Sequence, residues 1–505
     1  MRLLLIFALC AGPLFADTLI FADGRIVDHD KVEATEEGYK LTYEHGEIVV
    51  PKAILRGFFK AGETPEFTPT TLKEKEQAGK NRYPWKGRWI SKSYWRKLAQ
   101  REIDKKKEMV EQAKARHFWR DRAKVKTKTF DYEHTLPDEI FEEWQKLFET
   151  YYKFFTKYWK IKPSTKFGKP RIHIYRDREY FYQVTGRPRG VAGFYVLPMR
   201  TLHFYYDRRR VGLTISIMFH EGNHMLSHMV DRKFRYPWWI GEGMAEYFGA
   251  SKYDPETETM EIGLLQSGRL ANLWIRIQED GWLKLRTLIE SGRSLGVAGY
   301  AWSWSFCHFL LSNEKYEKRF KKYFLALARS GSIKRTRAGP GMETVSSDEQ
   351  IKALLRMLKV KNLKTLEAEW HAYIKRELRL DRKDMNWSEA GHVMDVLGEN
   401  PQARKFFKRA IDAGVADAQV HYRYSWLKLV QNKNKTAHKY LEKTLELDPM
   451  HSQAISLLGW VKHGLGDKEE GYRLMKLAFE IDPLDHQVWF NLEKAKIKDE
   501  DAAGG

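Results

Sequence analysis

His220-Glu221-Gly222-Asn223-His224 decides how this chain reads. Just ahead of it, Ile215, Ile217, Met218 and Phe219 supply apolar side chains that pack a helix into a core. On a helix, residues four apart lie one above the other on the same face. His220 and His224 can then both reach one Zn²⁺, with Glu221 beside them, placed to take a proton from a zinc-activated water. A hydrolytic zinc site also needs a third protein ligand and an open fourth position. Glu242 follows His224 after 17 intervening residues. That gap lets the first helix end, the chain turn through Arg235-Tyr236-Pro237, and a second helix return beside the metal. The stretch Trp238-Trp239-Ile240-Gly241-Glu242-Gly243-Met244-Ala245-Glu246-Tyr247-Phe248 is that second helix, and Glu242 is the expected third ligand. Glu246, one turn later on the same face, is placed to accept the free N–H of a ligand histidine and fix its tautomer.

Other candidates fall into place around these. His228 lies a further turn beyond His224, and histidines at i, i+4 and i+8 span about 12 Å along the axis. One tetrahedral ion with bonds of about 2 Å cannot hold all three, so His228 reads as a packing or surface residue. Downstream, Gly299-Tyr300-Ala301-Trp302-Ser303-Trp304-Ser305-Phe306-Cys307-His308-Phe309 reads as an aromatic core helix. Cys307 within it reads as a buried structural thiol.

His220-Glu221-x-x-His224 together with Gly241-Glu242-Gly243-x-Ala245-Glu246-Tyr247 resembles the gluzincins, zinc peptidases with two His ligands and one Glu. The spacing is one residue shorter than the usual aminopeptidase pattern. Upstream, Ala192-Gly193-Phe194-Tyr195 and residues 201–206 are similar to the edge hairpin beside the cleft in that clan. Gluzincins often place a tyrosine or histidine from a later helix to stabilise the oxyanion. The resemblance therefore implies that role for Tyr300, with His308 as second choice. It also implies an α+β zincin-like catalytic domain and peptide-bond hydrolysis. The Gly-x-Met-Glu-Asn stretch that holds a substrate amino terminus in aminopeptidases is absent, which leaves endopeptidase activity. A metzincin is excluded, because that pattern needs Gly and His where this chain has Ser227 and Val230. An export signal, a gluzincin-like domain and a tetratricopeptide tail together resemble bacterial proteins described as peptidase MA-like.

The remainder of the chain divides around this centre. The 505 residues include 43% hydrophobic and 14% aromatic side chains, enough for substantial cores and against disorder throughout. Only Cys10 and Cys307 occur, which excludes a disulfide framework and a thiolate zinc knuckle. Residues 1–16 have the order of a signal peptide: Arg2, an apolar run to Cys10, then small residues up to Ala16 before Asp17. Export to the periplasm or beyond is the expectation, and no other stretch is apolar enough for a transmembrane helix. Residues 17–61 alternate in short runs with Asp-Gly, Glu-Gly and His-Gly turns, which predicts a small antiparallel β module.

Residues 62–129 form a basic helical linker, with a charged helix over 101–116. Between Lys92 and Lys128 stand 14 Lys/Arg against 5 Asp/Glu, within a chain whose formal net charge is +21. An anionic envelope surface is the partner this charge would suit, a solvated linker helix being the plainer reading. No nucleic-acid motif appears. Residues 130–380 alternate helix and strand patterns, with helices over 138–160 and 177–185 and strands over 170–175, 193–196 and 201–205. Residues 385–498 repeat at a period of 34: Gly398, Asn432 and Gly466 recur at turns, Ala403, Ala437 and Gly471 and then Ala410, Thr444 and Ala478 at helix contacts. This resembles tetratricopeptide repeats and predicts an α-helical solenoid, a place for a protein partner.

The expected activity is that of an exported zinc metallopeptidase with Glu221 as general base and a peptide or protein substrate. The alternative is a catalytically silent, repeat-containing adaptor of the cell envelope. The intact set His220, Glu221, His224 and Glu242 favours the enzyme.

Overall fold

The computed structural model describes residues 17–21, 25–60, 69, 71–85, 87–161, 163, 168–188, 190–207, 211–254, 257–329, 331–482, 485, 487–488 and 491–496. The expected signal peptide lies outside the described residues. Two compact units divide the chain: Met1–Ala115 with Lys428–Gly505, and Arg116–Leu427.

The first unit opens with two small antiparallel sheets. Strands β1 (Asp17–Phe21), β2 (Ile26–His29), β3 (Val32–Ala34), β4 (Gly38–Tyr43), β5 (Gly46–Pro51) and β6 (Leu55–Phe59) pair in the orders β2-β1-β6 and β3-β4-β5. Leu19, Leu41 and Val50 are fully buried, as the alternating pattern requires. Helix α1 (Leu72–Gly79) and the hairpin β7 (Arg82–Trp85) and β8 (Arg88–Ser91) lead into α2 (Lys92–Ala115). This basic helix begins nine residues before its predicted start. Trp95 explains the difference: its indole N–H donates to Pro84 O (3.0 Å) and its ring meets Tyr83 edge-on, so a contact with the preceding hairpin extends the helix.

The second unit carries a five-stranded mixed sheet. Its strands are β9 (Ala123–Lys126), β10 (Asp131–His134), β11 (Arg171–Tyr175), β12 (Gly193–Val196) and β13 (Thr201–Tyr205), in the order β12-β13-β11-β10-β9. β10, β11 and β13 are parallel, and the two edge strands run antiparallel to their neighbours. Between these strands lie α3 (Asp138–Trp159) and α4 (Arg178–Thr185). α3 is strongly amphipathic; Phe141, Trp144, Phe148, Tyr151 and Phe155 are buried along one face. Lys160 closes it in a left-handed conformation.

After the sheet come α5 (Val211–Val230) and α6 (Trp238–Gly249), then the hairpin β14 (Ser251–Asp254) and β15 (Thr259–Ile262). Five helices follow: α7 (Ser267–Asp280), α8 (Leu285–Ser291), α9 (Gly296–Ser312), α10 (Glu317–Ala328) and, beyond the hairpin β16 (Thr336–Gly339) and β17 (Met342–Thr344), α11 (Ser347–Leu358). α12 (Leu363–Glu377) completes this part. α9 is apolar on nearly every side because it is enclosed: Trp304, Phe306 and Cys307 are fully buried. α6 crosses it at Gly243, where a Cβ would stand 2.5 Å from Ser303 O and 2.6 Å from Cys307 Sγ. Only glycine fits there. Gly243→Val is therefore expected to cost about 3 kcal/mol, an overpacking penalty read as a lower denaturant midpoint at unchanged m.

The C-terminal segment is a helical repeat region. Its helices are α13 (Trp387–Val396), α14 (Asn400–Asp412), α15 (Ala418–Leu429), α16 (Asn434–Leu447), α17 (Ser452–Gly464) and α18 (Lys468–Ile481). Gly398, Asn432 and Gly466 each have positive φ at a turn between consecutive helices, as the 34-residue period requires. Ala403, Ala437, Ala410, Thr444 and Ala478 are fully buried. Among the described residues, no helix is long and apolar enough to cross a membrane.

Candidate metal centre

α5 and α6 bring the expected ligands to one point. The chain leaves α5 at Val230, turns, and re-enters helix at Trp238 behind Pro237, whose fixed φ suits a helix start. Met218, Phe219, Met225 and Leu226 are fully buried on α5, and Trp239, Ile240, Met244 and Phe248 are 1% exposed or less on α6. Burial of these residues fixes the rotation of both helices. His220, His224 and Glu242 are thereby turned toward each other.

His220 Nε2 lies 3.4 Å from Glu242 Oε2, and His224 Nε2 lies 3.2 Å from the same oxygen. The three side chains offer ligand atoms that all fall within 4.8 Å of one another. A tetrahedral zinc with bonds of about 2.0–2.1 Å has ligand–ligand edges of about 3.3–3.4 Å. The donor set therefore fits such an ion in both chemistry and spacing. His224 keeps 26% of its side chain exposed, so the cluster opens to solvent on its side.

Glu221 stands beside the cluster, its Oε1 4.0 Å from His220 Nε2. Burial raises its pKa above the ordinary carboxylate value, although the two imidazoles pull it down. Edge strand β12 runs alongside: a Cβ at Gly193 would meet Ile217 Cγ2 at 2.6 Å and Glu221 Cγ at 3.2 Å.

Glu246 sits behind His220, with Oε1 3.4 Å from Nδ1. It is itself gripped. Arg269 Nη2 donates to Oε1 (2.7 Å) and Gln266 Nε2 to Oε2 (3.1 Å) and to Glu246 O (3.1 Å). Burial alone would raise the Glu246 pKa, but Arg269 and His220 hold it well below the ordinary range. Glu242 is likewise held low, by His224 and His220 against the effect of burial. For His220 burial disfavours the cation, yet contacts with Glu242 and Glu246 outweigh it and raise the pKa well above 6.5.

In the metal-free chain a proton on His220 thus does the work of a cation. The stability it contributes is fully present below the unfolded value near 6.5 and is lost as pH rises through the raised folded value. A metal ligand must be deprotonated, so a metal ion held there would compete with that proton. If zinc binds there, its affinity is expected to rise with pH while His220 still carries its proton. Chelator competition at pH 6, 7 and 8 measures this, and a flat profile would contradict it.

Tyr300, on α9, has its ring centroid 6.4 Å from that of His220 and 5.2 Å from that of Trp238. The Arg269 guanidinium lies over its ring at 5.0 Å. Burial, then Glu242, push its pKa up, so its hydroxyl remains a donor at neutral pH. His308 turns elsewhere, to the Tyr373 hydroxyl at 2.8 Å. His228 is tied by Tyr195 OH (2.8 Å) at Nδ1 and by Arg232 O (3.1 Å) at Nε2 and is buried, the first of the two places, packing or surface, expected of it. Cys307 is buried and unpaired, its thiol pushed up by burial.

Arg269 and Gln266 are the site neighbours that sequence reasoning missed. They enter from the N-cap and first turn of α7, more than twenty residues after Glu242, and no local spacing marks them. Among the described residues, one other group could offer three metal ligands: Glu44, His45 and Glu480. There Glu480 already engages the His45 ring directly.

A family model described as "Protein of unknown function (DUF1570)" matches residues 214–333, which include the whole cluster. No curated protein matches. Among solved structures, the second TPR domain of the human RPAP3 protein, in complex with an HSP70 peptide, is 23% identical. That match covers 22% of this chain and 92% of the other, with a TM-score of 0.20. YrrB, described as a TPR protein with an unusual peptide-binding site, is 18% identical over 30% of this chain and 72% of its own, with a TM-score of 0.21. MamA is 16% identical over 32% of this chain and 94% of its own, with a TM-score of 0.19.

Proposed function

We propose that this chain is an exported zinc metallopeptidase of the gluzincin kind, acting as an endopeptidase on a peptide or protein substrate. The observation that carries this reading is the convergence of His220, His224 and Glu242 at tetrahedral-edge distances, with Glu221 alongside. Zn²⁺ held there would supply a Lewis acid for the scissile carbonyl and lower the pKa of water toward about 7.

The chain's own residues do the rest. Glu221, with its raised pKa, takes a proton from the attacking water and returns it to the leaving amine. Tyr300, kept protonated, donates to the oxygen on which charge develops. Glu246 holds His220 through Nδ1 and so keeps Nε2 facing the metal position. β12 is an edge strand beside Glu221, so an extended peptide can add to it through main-chain hydrogen bonds. The helical repeats offer a surface for a protein partner. The basic stretch around α2 suits an anionic envelope.

The test is reversible metal dependence. Cleavage of an unfolded protein substrate by the full chain is expected to stop on chelation and to return with one equivalent of zinc. Cleavage that survives complete zinc removal would overturn the proposal.

A further inference from the structure

The turn that holds Glu246 is itself held by the repeat region. Gln266 caps α7 and Arg269 lies in its first turn, and both side chains grip Glu246. The same turn is keyed on its other side to α13. Glu389 Oε1 accepts the Gly268 N–H at 3.3 Å. In return, the Asn386 N–H donates to Ser267 Oγ at 2.9 Å. Between these polar contacts Gly268 meets Val393 with no room for a side chain; a Cβ would stand 2.4 Å from Val393 Cγ2. Ser267 is 1% exposed, so this junction excludes water.

A free helix start would leave its first N–H groups unsatisfied. Here Glu389, from a different segment of the chain, accepts one of them, that of Gly268. The position of Arg269, two residues into α7, then depends on that clamp. From Arg269 the path continues through Glu246 Oε1 to His220 Nδ1.

We propose that α13, the first repeat helix, is a positioning element of the metal centre, with Glu389 as the positioning residue acting through Arg269 and Glu246 on His220. This rests on the zinc-site reading above. It means that the repeats do more than recruit a partner. Whatever shifts α13 changes how firmly His220 is held.

The experiment is a double-mutant cycle on zinc affinity in the full chain, read by chelator competition with zinc alone as the probe. Glu389→Ala is expected to weaken zinc about tenfold, the low end for partners outside the ligand set. In a Glu246→Gln background the same change is expected to matter less than about twofold, because the path is already cut. A merely structural role for Glu389 gives equal losses in both backgrounds, and that result, or no loss at all, would overturn the inference. Should Glu389→Ala fail to fold, Val393→Ala takes its place. It loosens α13 on Gly268 while keeping the carboxylate, and is expected to shift the affinity about threefold only when Glu246 is intact. A wild-type chain that binds no zinc would sink the functional reading itself; zinc binding with additive variants would sink only this inference.

Discussion

Glu221→Gln is expected to retain zinc and to lose peptidase activity by a factor of about 10²–10⁴, the range of general acid–base catalysis. The substitution is nearly isosteric and leaves His220, His224 and Glu242 untouched. Glu221 Oε1 is 4.0 Å from His220 Nε2, beside the ligand set rather than within it. Glutamine can still hydrogen-bond water but cannot take its proton. Burial raises the Glu221 pKa above the ordinary carboxylate value, although the two imidazoles pull it down. Folding should be little affected, because glutamine keeps the size and shape of the side chain. Steady-state cleavage measured beside zinc content separates the outcomes. An active Glu221→Gln enzyme would remove Glu221 as the base, and a zinc-free one would make it a ligand.

Glu242→Ala is expected to lower zinc affinity by more than about 100-fold, since even partners of ligands typically cost 10–100-fold when removed. Glu242 contributes the one oxygen that both histidines face, at 3.4 and 3.2 Å. Without it two neutral nitrogens remain, too few for a stable tetrahedral site. The change also alters the metal-free protein. Contact with Glu242 is one of the interactions that raise the pKa of His220, so the variant should bind its proton less tightly. The pH profile of zinc binding should therefore flatten as the affinity falls. Chelator competition reports both. Unchanged affinity would place the third ligand elsewhere.

Much of this was legible in the residues themselves. The spacing of His220 and His224 requires one helix face, and Tyr236-Pro237 signals where the next helix begins. The 34-residue period located Gly398, Asn432 and Gly466, which adopt positive φ at the predicted turns. Short strands with alternating burial were readable in the N-terminal module for the same reason: a local pattern decides them. What was not legible depends on contacts between distant segments. The start of α2 follows from Trp95 reaching back to Pro84. The parallel pairing of β10, β11 and β13 depends on crossovers, which no strand encodes alone. Arg269 and Gln266 matter because the start of α7 reaches Glu246 on α6. Glu389 matters because α13 then clamps α7, so its role needed the three-dimensional path rather than a motif.

The central claim is that His220 and His224 hold one zinc. Native mass spectrometry of the full chain, beside a His220→Ala/His224→Ala double variant, tests it most directly. A zinc bound to the wild type and missing from the double variant is the expected result. A wild type without zinc, or a double variant that keeps it, would mean that these two histidines do not hold a zinc.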